Sequence, residues 1–391
     1  MRTIFYLSAI LLFLLLMSCS EEPPTNINNE SLSKKPTPPN PPEPLVLLHN
    51  ANQIVGCSGS KIVVWTYSGG IYSVSWENSS SGDYNAAAIG DVDRDGNDEL
   101  VAVFIYETGR GRNKITHKVI QIFENGDTDT PTRVSGDLTE EGVNGIGYTY
   151  MRLGDANNDG HIEILIAHSN CISVHNDNGS EIPMLWKSED LSALDPWSIE
   201  AGDADNDGQN EIVYAELAGQ RFGVYEYVEN NTWGNRLYSE TILYGLDRAF
   251  VADVDGDGLN EVIGGGNASM LFVWEYINGN YVVEFESGNL GGFTQGIGSG
   301  DFDNDGRNEI AVGTAGADNK VIVFKHNGTT YLNIYEDSFL GMVSDLFAGD
   351  SDNDGVKEIV LAASDLLVYD YTNQYNQTYS NSTGIFQVIV K

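Results

Sequence analysis

After its first twenty or so residues the chain is written in short apolar runs. "EIVYAE", "EVIGGG", "EIAVGT" and "EIVLAA" are rich in β-branched side chains and are cut off by glycine or by Asn/Asp-rich turns. No long segment sets apolar residues at helical spacing, so the pattern predicts many short strands joined by turns. A second kind of run recurs downstream of the first, marked by an aliphatic side chain followed by a ring. Its copies are Ile122–Phe123, Val174–His175, Val224–Tyr225, Val273–Trp274, Val323–Phe324 and Val368–Tyr369, with a seventh upstream at Val64–Trp65.

Just before the first kind of run stands an acidic loop, and it too repeats. "DVDRDGNDE" begins at Asp91, and its counterparts begin at Asp155, Asp203, Asp253, Asp301 and Asp350, in steps of 64, 48, 50, 48 and 49 residues. A period near 49 predicts a repeat architecture with one supersecondary unit per repeat, and the 64 marks an insertion. Upstream, "NQIVGCSG" parallels "NEIAVGTAG", which puts Gln53 where Glu309 stands and Leu45, Leu47 and His49 where the loop aspartates would be, so this seventh unit has lost its acids. It also lacks a preceding strand, whereas the chain finishes on an unmatched "GIFQVIVK". The expected fold over residues 45–391 is therefore all-β: a seven-bladed β-propeller of four-stranded blades, closed by the C-terminal strand joining the N-terminal strands, because a ring leaves few sheet edges bare.

The chemistry of the loops explains why carboxylates crowd together. Oxygen ligands at positions 1, 3 and 5, a glycine at 6 for the sharp turn, a backbone carbonyl at 7 and a carboxylate at 9 can converge on one cation of calcium size. The six candidate sets are Asp91, Asp93, Asp95, Asn97 and Glu99; Asp155, Asn157, Asp159, His161 and Glu163; Asp203, Asp205, Asp207, Gln209 and Glu211; Asp253, Asp255, Asp257, Leu259 and Glu261; Asp301, Asp303, Asp305, Arg307 and Glu309; and Asp350, Asp352, Asp354, Val356 and Glu358. Up to six Ca²⁺ are expected, with the fold leaning on them, and the second site is the weakest because Asn157 replaces an aspartate. An EF-hand would carry its glutamate at position 12 and continue into a helix; here Glu comes at 9 and a strand follows.

The balance of charges fits this picture. Twenty Lys and Arg against 57 Asp and Glu give a formal charge of −37, which excludes nucleic acid as a partner and favours cations. Cys57 and Cys171 either pair or remain buried thiols. At the N-terminus, Arg2 precedes an apolar run of about 14 residues, suited to an export signal over residues 1–19. "LMSC" resembles a bacterial lipobox, which implies that Cys19 is lipidated and anchors the protein to a membrane, the outer membrane and cell surface being expected. Residues 20–44 are Pro-rich and read as an extended tether.

With six such loops at blade spacing, the chain resembles FG-GAP/VCBS-type propellers, the family of the integrin α-subunit head. The resemblance implies structural calcium between the first and second strands of each blade, on one face, and a ligand on the opposite face, at the loops that lead into each first strand. The candidates there are Tyr150, Arg152, Trp197, Glu200, Asp247, Arg248, Gln295 and Asp345. The basic stretch 109–118, with Arg110, Arg112, Lys114 and Lys118, reads as an exposed hairpin loop or as a steering patch for an acidic partner. HExxH, GxxxxGK[ST] and GxSxG are absent, and the six histidines do not cluster. The expected function is a calcium-stabilised, monomeric binding or adhesion module for a glycan or protein ligand. A carbohydrate-active enzyme of polysaccharide-lyase type and a scaffold of a surface complex stand as alternatives.

Overall fold

A computed structural model of the chain describes residues 44–47, 53–145, 147–339, 341–372, 374–381 and 387–390. The export signal, Cys19, His49 and nearly all of the 20–44 tether lie outside the described residues. Apart from a 3-10 turn at Gly111–Asn113, the elements among the described residues are strands.

In chain order, β1 (Gln53–Ser68), β2 (Ile71–Gly90), β3 (Glu99–Thr108), β4 (Ile115–Phe123) and β5 (Arg133–Val134) belong to the first sheet. The second holds β6 (Thr149–Gly154), β7 (Glu163–His168), β8 (Cys171–His175) and β9 (Met184–Lys187); the third holds β10 (Pro196–Gly202), β11 (Glu211–Glu216), β12 (Arg221–Glu229) and β13 (Thr232–Tyr238). Then come β14 (Leu246–Ala252), β15 (Glu261–Gly266), β16 (Leu271–Ile277) and β17 (Asn280–Glu286), followed by β18 (Phe293–Gly300), β19 (Glu309–Ala315), β20 (Lys320–His326) and β21 (Tyr331–Ser338). The last four-stranded sheet is β22 (Asp345–Gly349), β23 (Glu358–Ala362), β24 (Leu366–Tyr371) and β25 (Tyr375–Asn381), after which β26 (Gln387–Val390) returns to lie beside β1.

Each four-stranded sheet is a meander in which sequential strands pair antiparallel. The strands that open each sheet pack against their counterparts in the neighbouring sheets, which makes the arrangement a propeller. Strand composition follows from position in the blade. The second strands β7, β11, β15, β19 and β23 are buried along their whole length between adjacent sheets, which is why they read as unbroken apolar runs. Outer strands such as β17 and β21 bury one residue in several and alternate accordingly. The aliphatic and ring pairs lie on β4, β8, β12, β16, β20, β24 and β1, and every one of those side chains is buried. The core is thus divided among the gaps between blades, as where Tyr150, Leu165 and Ala167 meet Ile199, Ile212 and Tyr214.

The sheets number six among the described residues, not seven, which corrects the blade count expected from the repeats. The physical cause is the length of β1 and β2. The first part of β2 pairs with β1 (Lys61 with Ser79 through Ser68 with Ile71), and its second part pairs with β3 (Asp83 with Ile105 through Gly90 with Glu99). Two sequence units therefore share one six-stranded sheet. Gly82 permits this passage, since a Cβ there would come within 2.4 Å of the Ile105 carbonyl oxygen. On the other side, β26 pairs antiparallel with β1, Ile54 opposite Val390 and Cys57 opposite Gln387, and also packs against β22 and β2. Cys57 and Cys171 are separate buried thiols. Leu45 and Leu47 are buried, and Leu45 exchanges backbone hydrogen bonds with Asp127 and Gly126 in place of any loop of acids.

Candidate functional site

The first acidic loop joins β2 to β3 and each of the other five joins the first strand of a four-stranded sheet to the second; the sequence of the loop prescribes its shape. Gly96, Gly160, Gly208, Gly258, Gly306 and Gly355, at position 6, all have φ between 85° and 93°, where a side chain would be strained. The amide of each donates to a carboxylate oxygen of the first aspartate, at 2.8 to 3.2 Å. The amide at position 7 donates to the aspartate at position 5, so Asn97, His161, Gln209, Leu259, Arg307 and Val356 are placed by their backbone. The glutamate at position 9 opens the next strand and is buried. Its Oε2 accepts from the amide at position 2, as in Glu99 to Val92 (2.9 Å) and Glu211 to Ala204 (2.7 Å).

That bond leaves the other carboxylate oxygen turned into the loop. Oε1 of Glu99, Glu211 and Glu358 and Oδ1 of Asp203 are buried with no hydrogen-bond partner. In the third and sixth loops, four carboxylates each bring an oxygen within 4.8 Å of the others. An all-oxygen set with buried, unsatisfied acceptors suits a hard divalent cation. Without one, burial pushes Glu99, Glu211, Glu261 and Glu358 up to about 8 and Glu163 to about 7. The second loop differs. Asn157 Nδ2 donates to Glu163 Oε1 (3.0 Å), and the Arg94 guanidinium from the first loop reaches Asp159 at 3.3 Å and Glu163 at 3.7 Å.

The reading of the sequence missed the asparagines at positions 4 and 8, although their recurrence was the available signal. Asn158 and Asn210 exchange bonds across blades, Asn210 N–H donating to Asn158 Oδ1 (2.6 Å) and Asn158 Nδ2 to the Asn210 carbonyl (3.1 Å). Asn206 and Asn260 repeat the pattern at 2.7 and 3.0 Å, and Asn308 Nδ2 donates to the Asp253 carbonyl (2.8 Å). Position 4 must adopt positive φ, and asparagine tolerates it.

The residues assigned to the ligand face divide into three groups. Tyr150, Arg152, Glu200 and Arg248 line a cavity of about 240 Å³ between the opening strands of the sheets, with Phe347 opposite and Asn308 and Lys357 toward the acidic loops. Asp345 is fully buried against both guanidinium groups, 3.9 Å from Arg248 Nε and 4.0 Å from Arg152 Nη2. The Arg152 guanidinium lies 4.2 Å over the Tyr150 ring, and Arg248 donates to Tyr148 Oη (3.1 Å) and the Ser344 carbonyl (3.0 Å). Trp197 stacks on Tyr148, centroids 4.4 Å apart, and its buried indole N–H has no acceptor. Asp247 and Gln295 pair with each other at 2.5 Å and do not line the cavity. Burial pushes Glu200 and Asp247 up to about 7. In the basic stretch, Arg110, Arg112 and Lys114 are exposed, but Lys118 is fully buried, donates to Thr149 Oγ1 (2.9 Å) and is pulled down to about 8 by burial, so it belongs to no surface patch.

Comparison with known proteins agrees with this architecture. The FG-GAP-like repeat family matches residues 253–312 and the FG-GAP repeat family residues 293–332. Among curated proteins none matches. A candidate 6-phosphogluconolactonase from Bacteroides fragilis superposes with a TM-score of 0.58 at 10% identity, covering 88% of this chain and 99% of its own, which shows a shared fold. A chain of the Mitotic Checkpoint Complex gives 0.48 at 11% identity over 91% of this chain and 90% of its own, and BBS1N from its complex with ARL6DN gives 0.47 at 11% over 78% and 82%. Repeats of that family over residues 253–332, set in a ring of meandering sheets that carry acidic loops, support an FG-GAP, integrin-α-like β-propeller.

Proposed function

We propose that this chain is a calcium-stabilised binding module, held at a bacterial surface by a lipid on Cys19, that takes a glycan or protein ligand at the end of the cavity where Tyr148, Tyr150 and Trp197 gather. The observation that carries this reading is the cavity itself: Arg152, Arg248, Glu200 and the Tyr150 and Phe347 rings line about 240 Å³, room for a sugar-sized group, and the stacked Tyr148 and Trp197 lie next to Tyr150 and Arg248 outside that lining. The unsatisfied oxygens of the acidic loops support the calcium, and "LMSC" supports the anchor. Glycan is the favoured class, since ring surfaces beside a few oriented donors suit a pyranose. A lyase is not favoured, because burial pushes the Tyr150 phenol up and leaves too little phenolate near neutral pH to abstract a proton.

Glycan-array binding tests this. The natural chain in Ca²⁺ is expected to retain ligand without releasing product, and Arg152→Gln to weaken it roughly tenfold or more while still melting cooperatively. Equal binding by a folded Arg152→Gln chain, or binding that tracks only the exposed hairpin at 109–114, would overturn the proposal.

A further inference from the structure

In several blades the residue one past the ring faces the acidic loop of its own blade. In the third and sixth blades this position is Glu226 and Asp370, each adding negative charge beside the loop aspartates. In the fifth blade it is Lys325. Its ammonium lies 2.6 Å from Asp303 Oδ2, 2.8 Å from Asp305 Oδ2 and 2.9 Å from Glu309 Oε1. Those are loop positions 3, 5 and 9, so one cation already meets three of the carboxylates that a metal would need. The contact with Asp303 Oδ2 is a hydrogen bond, whereas Asp305 Oδ2 and Glu309 Oε1 meet the same ammonium as ion pairs, Glu309 Oε1 accepting no hydrogen bond. The lysine rises from β20, the neighbouring strand of the same sheet, and keeps a side-chain exposure of only 21%, so the pair is partly screened from water.

We infer that Lys325 is the resident cation of the fifth loop, and that this loop holds its shape without divalent metal while its neighbours require it. The inference rests on the calcium reading of the other loops. A divalent ion entering here would have to expel the ammonium into solvent and take the carboxylates from an existing charge-assisted contact. The protein therefore takes at most five ions, and the fifth blade is the segment that chelation disturbs least.

Counting bound ions by native mass spectrometry after equilibration in excess Ca²⁺ tests this, with the full exported chain. Lys325→Glu, which installs the carboxylate found at this position in other blades, is expected to bind one ion more than the natural chain. Asp303→Ala is expected to leave the count unchanged, whereas Asp205→Ala in the third loop, which removes the oxygen ligand altogether, lowers it by one. A count that falls by one with Asp303→Ala, or fails to rise with Lys325→Glu, overturns the inference. Should Lys325→Glu not fold, Asp303→Ala still decides. No ion on any variant defeats the calcium reading, and this inference with it.

Discussion

In a chelator, the melting temperature is expected to fall as pH rises from about 5 to about 8, and excess Ca²⁺ to remove most of that slope. In the metal-free fold, burial holds Glu99, Glu211, Glu261 and Glu358 at about 8 and Glu163 at about 7. In the unfolded chain the same groups titrate near about 4.3. Between those values the folded state carries protons that the unfolded state has lost, so the stability from these groups is complete below about 4.3 and is lost as pH climbs through the folded values. One such group contributes roughly 1.4 kcal/mol per pH unit at most, and five together rival the ~5–15 kcal/mol that keeps a domain folded, even after a severalfold discount. With a divalent ion in place the glutamates are ionised and paired, and each tightly held ion adds about 4 kcal/mol at a thousandfold saturation. The gap between calcium and chelator is therefore expected to be small near about pH 5 and on the order of 10 to 20 °C near about pH 8. A flat or rising curve in chelator, read by differential scanning calorimetry, would show that the loop glutamates are not desolvated as described.

A chain cut after Thr383 is expected to lose its cooperative transition altogether. The removed segment contains β26, whose Val388, Ile389 and Val390 are all buried. Burying three such side chains stabilises by roughly 5 to 9 kcal/mol. Three further losses accompany it. Ile54 and Val55, both fully buried, would become part of a bare sheet edge. Asp345 would lose the Val388 amide that donates to it at 3.3 Å. Gly349 would lose the Val390 side chain against which its backbone packs. The truncated protein is expected to aggregate, with a synthetic "GIFQVIVK" peptide added in excess restoring part of the transition. A truncated chain that melts within a few degrees of the natural one would show that β26 is an ornament.

Much of this architecture was legible in the residues because the repeat is enforced by chemistry at fixed positions. The acids at 1, 3, 5 and 9, the positive-φ glycine at 6 and the aliphatic and ring pair each answer to a local constraint; all seven pairs lie buried on strands, five of them on the third strand of a four-stranded sheet. The count of sheets was not legible. Whether a strand ends or runs on depends on backbone pairing, and "SSSGDY" reads as a turn although β2 passes straight through it beside β3. Long-range partners were hidden for a similar reason. Arg152 and Arg248 meet Asp345 across 193 and 97 residues of chain, a meeting that only the closing of the ring produces. Lys118 misled because its neighbours Arg110, Arg112 and Lys114 are exposed, while strand alternation turns Lys118 inward toward Thr149.

The asparagine bonds between loops carry a consequence for how ions load. Asn158 with Asn210, Asn206 with Asn260, and Asn308 with Asp253 link the second loop to the third, the third to the fourth and the fourth to the fifth. A loop that closes on an ion would fix its fourth residue, which in the second and third loops holds the eighth residue of the next; the fourth loop is held to the fifth through its first residue, the Asp253 carbonyl accepting from Asn308. With calcium bound as proposed, occupancy of the second, third and fourth loops is expected to be cooperative, with a Hill slope above one and sparse half-filled species. The sixth loop, where Lys357 replaces the linking asparagine, is expected to fill on its own schedule, while Arg94 ties the first loop to the Asp159 carboxylate of the second.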